Sequence, residues 1–122
     1  MIFLIFFILV LVNGQVYSLD EVSEVSIHKD GFVKVSKSSN PTTGFSWFIN
    51  PSSLEVVFTN DLDGDYIQDR SNLLGVGGIQ VFTLFCSDLC RTRNQTSIIL
   101  EYKQPWVNIP VDTVEVLVNI KS

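Results

Sequence analysis

The stretch Thr113-Val114-Glu115-Val116-Leu117-Val118-Asn119-Ile120 carries a β-branched apolar residue at every second position. Because successive side chains of a β-strand point to opposite faces, Val114, Val116 and Val118 fall on one face with Ile120. The pattern predicts a half-buried strand with that face toward a core. The same two-residue period recurs at 33–36 and 98–103, which predicts two half-buried sheets facing each other.

The rest of the chain has the same character. Short runs rich in β-branched and aromatic residues recur between turn signals, and no window after Tyr17 has a helical period. The predicted strands are 24–28, 32–37, 45–50, 54–59, 79–85, 97–103 and 113–120. About seven strands in one domain are typical of an all-β, immunoglobulin-like antiparallel β-sandwich, which is the predicted fold class.

Composition limits the partners. The 122 residues suffice for one domain with one core, and the 46% apolar and 17% charged content is that of a globular protein. A net charge of −5 without any basic run argues against nucleic acid or an anionic membrane surface as a partner. We predict a monomer.

No cofactor or metal is predicted. Asp61, Asp63 and Asp65 have the spacing of the first ligands of an EF-hand loop. However, Tyr66 occupies the position that requires Gly, and Asn72 the position that requires a bidentate Glu.

The first residues differ from all that follow. Residues 2–12 are unbroken Ile, Phe, Leu and Val, which is too short for a membrane span and typical of a signal-peptide core. We predict a signal peptide over 1–18, cleaved after Gly14 or Ser18, and a mature domain over 19–122. The predicted location is the secretory pathway, either extracellular or in lysosome-like vesicles, without membrane contact after cleavage. An uncleaved anchor remains the alternative because no Lys or Arg precedes the run.

Two cysteines lie close together in the chain. In the secretory pathway Cys86 and Cys90 are predicted to form a short local disulfide. A redox pair or half of a metal site is the alternative, but the chain has no second cysteine pair and only one histidine, His28. Asn94 heads the acceptor sequon Asn94-Gln95-Thr96 and is a candidate glycosylation site.

The segment Asn40-Pro41-Thr42-Thr43-Gly44-Phe45, the first loop, has the chemistry of a stiff turn. Pro41 fixes its own φ, the two threonines are restricted at χ1, and Gly44 can take a positive φ. Asn40 initiates turns because its side chain can bond the following backbone. A pre-ordered loop loses little entropy on binding and so retains contact energy. The alternative is an ordinary hairpin turn with no partner.

Two further loops carry unusual residues. The second loop, Gly75-Val76-Gly77-Gly78, offers bare backbone that could pair with another chain, although a linker or bulge would look the same. The third loop, Gln104-Pro105-Trp106, holds an aromatic anchor if Trp106 is exposed, or a core cap if it is buried. Counting connections in an antiparallel sandwich puts segments 38–44, 60–78 and 104–112 at one end. The connection with the cysteines and Asn94 goes to the other end.

With these three motifs in this order, the chain resembles the chagasin-like family of inhibitors of papain-type cysteine peptidases, over essentially the whole mature domain. The resemblance implies an inhibitor and not an enzyme, acting reversibly, competitively and without a covalent bond on papain-like (cathepsin-type) peptidases. The departure is Gln104, which replaces a positively charged residue common before Pro-Trp in the family.

The resemblance also implies a role for each loop. It puts Thr42 and Thr43 at the centre of the target's active-site cleft. Gly75, Gly77 and Gly78 would pair with backbone on the unprimed side, and Trp106 would stack on aromatic side chains on the primed side. The alternative function is an immunoglobulin-like adhesion or glycan-binding module, because a fold does not specify a function.

Overall fold

The computed structural model describes residues 16–68 and 77–122, and these residues hold nine strands. The strands are β1 (Val16–Ser18), β2 (Glu24–His28), β3 (Phe32–Ser39), β4 (Ser46–Ile49), β5 (Val57–Phe58), β6 (Asp65–Gln68), β7 (Gly78–Cys86), β8 (Gln95–Lys103) and β9 (Asp112–Lys121). Three short 3-10 helices lie between them, at Pro41–Thr43, Pro51–Ser53 and Asp88–Arg91.

The strands form two sheets. One sheet has the order β1-β3-β7-β5, and β6 also pairs with β7. The other has the order β2-β9-β8-β4. The long pairs β3–β7 and β8–β9 are antiparallel, whereas β1–β3 and β2–β9 are parallel.

The core lies between the two sheets. On β9 the side chains of Val116, Val118 and Ile120 are buried, and Val114 packs against them from a half-buried position. The other members come from both sheets, among them Val25, Ile27, Val33, Val35, Trp47, Ile49, Phe82, Leu84, Ile98 and Leu100. The strand faces that the alternation of apolar residues predicted to be buried do face the core. The predicted all-β sandwich is confirmed.

The structure adds two edge strands to the seven that were predicted. All four residues of β6 are exposed, so the strand has no alternation and forms because the edge of β7 offers a pairing partner. β1 lies in the segment predicted as signal peptide and joins β3 in parallel. Beside its antiparallel pairs, the sandwich thus has two parallel ones, β1 with β3 and β2 with β9. β5 is also shorter than predicted, since only Val57 and Phe58 of the segment 54–59 pair with β7.

Most of the predicted signal peptide, residues 1–15, lies outside the described residues. Among the residues that are described, no helix has both the length and the hydropathy of a membrane span.

Candidate functional site

The strand register brings the stems of the three loops to one end of the sandwich. Ser39, just before the first loop, pairs with Gly78 in the second, and Ser46, just after the first loop, pairs with Lys103 at the start of the third. Cys86 lies at the other end of β7, eight residues beyond Gly78, which is a distance of about 26 Å. We call the first of these the loop end and the second the far end.

The first loop is a single 3-10 turn closed by its own residues. The Asn40 carbonyl accepts from Thr43 N at 3.2 Å, and the Pro41 carbonyl accepts from Gly44 N at 2.9 Å. The Asn40 side chain accepts from Thr42 N at 3.3 Å. Gly44 ends the turn at φ +86°, a conformation that L side chains rarely adopt, which explains the glycine.

The two threonines at the tip are exposed, and their hydroxyls are engaged within the turn. Thr42 Oγ1 donates to Asn40 Oδ1 at 2.6 Å, and Thr43 Oγ1 donates to the Asn40 carbonyl at 2.8 Å. Thr43 Oγ1 also accepts from Phe45 N at 3.4 Å. The tip is consequently a pre-formed wedge, with few internal rotations left to lose on binding.

Aromatic side chains fix the exit of the first loop. Phe45 stacks on Tyr102 with ring centroids 5.6 Å apart, and the buried Trp47 lies 4.9 Å from the same ring. Trp47 Nε1 donates to the Ser38 carbonyl at 3.1 Å, which joins the exit strand to the entry strand. Trp47 is in the core, whereas Phe45 is half-buried at the surface of β8.

An ionic cluster fixes the entry of the first loop. Asp20 Oδ2 accepts from the amide and hydroxyl of Ser38 at 3.1 and 2.6 Å, and Asp20 Oδ1 lies 3.1 Å from Lys37 Nζ. Burial alone would raise the pKa of Asp20, but these hydrogen bonds and the Lys37 charge together hold the pKa below its ordinary value of 3.8. Sequence reasoning missed Asp20, because a contact over 18 residues leaves no local pattern.

Gln80 ties the two sheets together behind the first loop, and sequence reasoning missed it too. Its side chain is 2% exposed. Gln80 Oε1 accepts from Trp47 N at 2.7 Å, and Gln80 Nε2 donates to the carbonyls of Trp47 at 2.9 Å and Asp63 at 2.7 Å. The amide thus fixes β4, which leaves the first loop, against β7 and the segment before β6. A polar residue at a buried strand position is the signal that could have found it.

The second loop lies only partly within the described residues, because Gly75 and Val76 are outside them. Gly78 pairs with Ser39 on one side and Gln68 on the other, so it has no open edge for a partner's backbone. A Cβ at Gly78 would overlap the Ile67 carbonyl oxygen, so this glycine is needed for the close approach of β6. A Cβ at Gly77 would meet nothing within 4 Å. Gly78 therefore lacks the open edge that the predicted pairing with a target requires, whereas Gly75 lies outside the described residues.

The third loop projects from the end of β8. Trp106 is 73% exposed, which agrees with an anchor and excludes a core cap. The turn is closed by Val107 N, which donates to the Gln104 carbonyl at 3.0 Å, and Pro105 lies inside it. A Cβ on Gly44 would lie 3.8 Å from Gln104 Nε2, so the first and third loops are neighbours.

At the far end, Cys86 and Cys90 form the predicted disulfide, with Cα atoms 5.8 Å apart. Cys90 is fully buried, and Asn94 is exposed just before β8. Neither group obstructs the loop end.

Comparisons with known proteins agree with this architecture. The sequence model of the family described as "Chagasin family peptidase inhibitor I42" matches residues 26–119. Chagasin from Trypanosoma cruzi is 30% identical over 94 residues, which cover 74% of this chain and 80% of chagasin.

Two solved structures are similar in fold. The cysteine protease inhibitor EhICP2 from Entamoeba histolytica aligns with a TM-score of 0.61 at 20% identity, over 88% of this chain and 95% of the other. The solution structure of amebosin aligns with a TM-score of 0.63 at 23% identity, over 87% of this chain and 96% of the other.

Proposed function

Because this chain belongs to the chagasin family of peptidase inhibitors, we propose that it blocks the active-site cleft of papain-like cysteine peptidases with the three loops of its loop end. As a member of that family it is an inhibitor and not an enzyme. The inhibition is reversible, competitive and noncovalent, and Thr42 and Thr43 occupy the centre of the cleft.

One observation carries the proposal: the described stems of three loops with the family's motifs lie at one end of the sandwich. The pairs Ser39 with Gly78 and Ser46 with Lys103 fix that convergence. A cleft is concave, so a wedge with a loop on either side fits it better than a flat sheet face would. The exposure of Trp106 supports its role as an anchor on one flank.

The chemistry of the tip supports a noncovalent block. The hydroxyls of Thr42 and Thr43 bond within their own turn, and among the described residues their partners are Asn40 and Phe45, neither of which is a base. Inhibition then depends on shape and burial. A stiff loop binds with a small entropy cost, so a short segment suffices to fill the cleft.

We also propose that the chain enters the secretory route, where the Cys86–Cys90 disulfide is stable. β1 favours signal cleavage after Gly14. Cleavage after Ser18 would remove Val16–Ser18, and with it the packing of Tyr17 against the core. Sequencing the amino terminus of the secreted protein tests this, and a mature chain that begins at Leu19 would contradict it.

An inhibition assay tests the proposed function. Purified mature protein is titrated into papain, and the hydrolysis of a small fluorogenic peptide is followed. We expect activity to fall in proportion to the added protein and to return when the complex is diluted below its Kd. No loss of activity over a panel of papain-type peptidases would contradict the proposal.

A further inference from the structure

The β8–β9 loop, residues 104–111, holds the three most exposed large apolar side chains of the described residues. Trp106 is 73% exposed, Ile109 78% and Val111 67%, and the next in the described ranges is Phe32 at 57%. The resemblance assigns a role to Trp106 alone. The proposed function therefore does not yet explain why Ile109 and Val111 expose apolar surface to water.

The loop is too stiff to fold these side chains back onto the domain. Pro105 and Pro110 fix two of its φ angles. Val111 N donates to the Tyr102 carbonyl at 2.9 Å, which closes the base of the loop on the β8–β9 ladder. Apolar side chains that a stiff loop keeps in water are typical of a surface that a partner covers.

Charge at this loop argues for an apolar partner surface. Residues 104–111 include no Lys, Arg, Asp or Glu. The flanking Lys103 lies 3.6 Å from Glu101 and 5.6 Å from the Phe48 ring centroid, so its charge is turned back onto the sheet. Lys37, the cation beside the first loop, is held by Asp20. Neither cation is free to pair with an acidic target.

We propose that Ile109 and Val111 form, with Trp106, a specificity surface that selects peptidases with an apolar rim beside the cleft. This inference rests on the proposed function and extends it to the choice of target. An apolar rim would gain the burial of both side chains. The carboxylates of an acidic rim would lose their hydration without gaining an ion pair. A peptidase with an acidic rim would therefore bind more weakly.

The test compares the double variant Ile109→Ser/Val111→Ser with the wild type, using papain and a panel of cathepsin-type peptidases whose rims differ in charge. We expect the inhibition constant to rise about tenfold or more for peptidases with apolar rims, and to change little for those with acidic rims. Raising the salt concentration about tenfold should not reduce the difference between the wild type and the double variant, because Ile109 and Val111 carry no charge that salt could screen.

The control is Leu89→Ser, an exposed apolar residue at the far end, which should inhibit like the wild type. Thermal midpoints confirm that every variant is folded. Equal inhibition by the wild type and the double variant over the whole panel would overturn this inference and leave the proposed function standing. A wild type that inhibits no peptidase would overturn the proposed function itself, and this inference with it.

Discussion

The 3-10 turns Asn40-Pro41-Thr42-Thr43 and Asn50-Pro51-Ser52-Ser53 share a sequence pattern and a set of hydrogen bonds. In each turn the asparagine side chain accepts from the backbone N–H and the hydroxyl two residues later. In each, the last hydroxyl donates to the asparagine carbonyl. The local design is therefore the same, and it is a means of making a short turn stiff.

The two turns differ in what surrounds them. Ser53 Oγ accepts from Ile99 N at 3.1 Å, and Asn50 N donates to the Ile99 carbonyl at 2.8 Å, so the second turn is docked on β8. Thr42 and Thr43 are exposed, and their hydrogen bonds stay within the first loop. The motif makes a rigid element, and the position at the loop end makes that element available to a partner.

The largest expected effect comes from a bulky charge at the free tip. Thr43→Arg should raise the inhibition constant by about 100-fold or more, which is about 2.7 kcal/mol, because the wedge no longer fits the cleft. The matched control is Thr92→Arg at the far end. Thr92 is also exposed, follows a 3-10 turn, and donates from Oγ1 to a carbonyl three residues earlier. Equal inhibition by the two variants would contradict the account.

Removal of the last hydroxyl of the docked turn should lower the stability of the fold and leave inhibition unchanged. Ser53→Ala leaves Ile99 N without its acceptor at a partly buried position, and should lower the free energy of unfolding by about 1–3 kcal/mol. Inhibition by the folded fraction should not change. Urea unfolding and the papain assay measure the two quantities separately. A stability loss as large for Thr43→Ala would show that exposure does not distinguish the two turns.

The asparagines allow a more balanced comparison. Asn40→Ala and Asn50→Ala each remove a side-chain cap and should each cost about 1 kcal/mol of stability. Only Asn40→Ala should also weaken inhibition, by several-fold, since its turn must then be ordered on binding. If Asn50→Ala weakened inhibition equally, the effect could not be attributed to the order of the first loop.

The smallest expected effect concerns the entry to the first loop, where Asp20 bonds Ser38. The pKa of Asp20 is below 3.8 in the folded protein, so its ionised form stabilises the fold above that pH. The contribution is lost as the pH falls through the lowered pKa. Asp20→Asn should cost less than about 1 kcal/mol at neutral pH, because the pair is partly exposed. Urea unfolding should show the difference from wild type shrink as the pH falls below 3.8 and through the lowered pKa, and a constant difference would contradict this.

Periodicity was enough to predict the sandwich and its inward faces, because both sheets bury one side. It could not reveal β6, whose four residues are all exposed, or the parallel pairing of β1, which depends on a distant strand. The stiffness of the first loop was readable from Pro41 and Gly44. The docking of the similar turn at Asn50 was not, since Ile99 is 46 residues from Ser53.

The candidate site divides in the same way. The tip residues and Trp106 carry local signals, and the tip threonines and Trp106 are exposed in the structure. The residues that hold the tip in place, Asp20 and Gln80, act through contacts 18 and 33 residues apart. No pattern in one sequence encodes such pairs, because the Asp20 contact arises only when β1 pairs with β3, and the Gln80 contact only when the two sheets come together.

Protection of the target's catalytic cysteine tests the central claim most directly. Papain is treated with iodoacetamide, with and without an equimolar amount of this protein, and alkylation of the catalytic cysteine is followed by mass spectrometry. We predict that the complex slows alkylation strongly, that Thr43→Arg removes the protection, and that the inhibitor is recovered uncut and unmodified. Unchanged alkylation while hydrolysis is inhibited, or a covalent adduct between the two chains, would contradict a noncovalent block of the cleft.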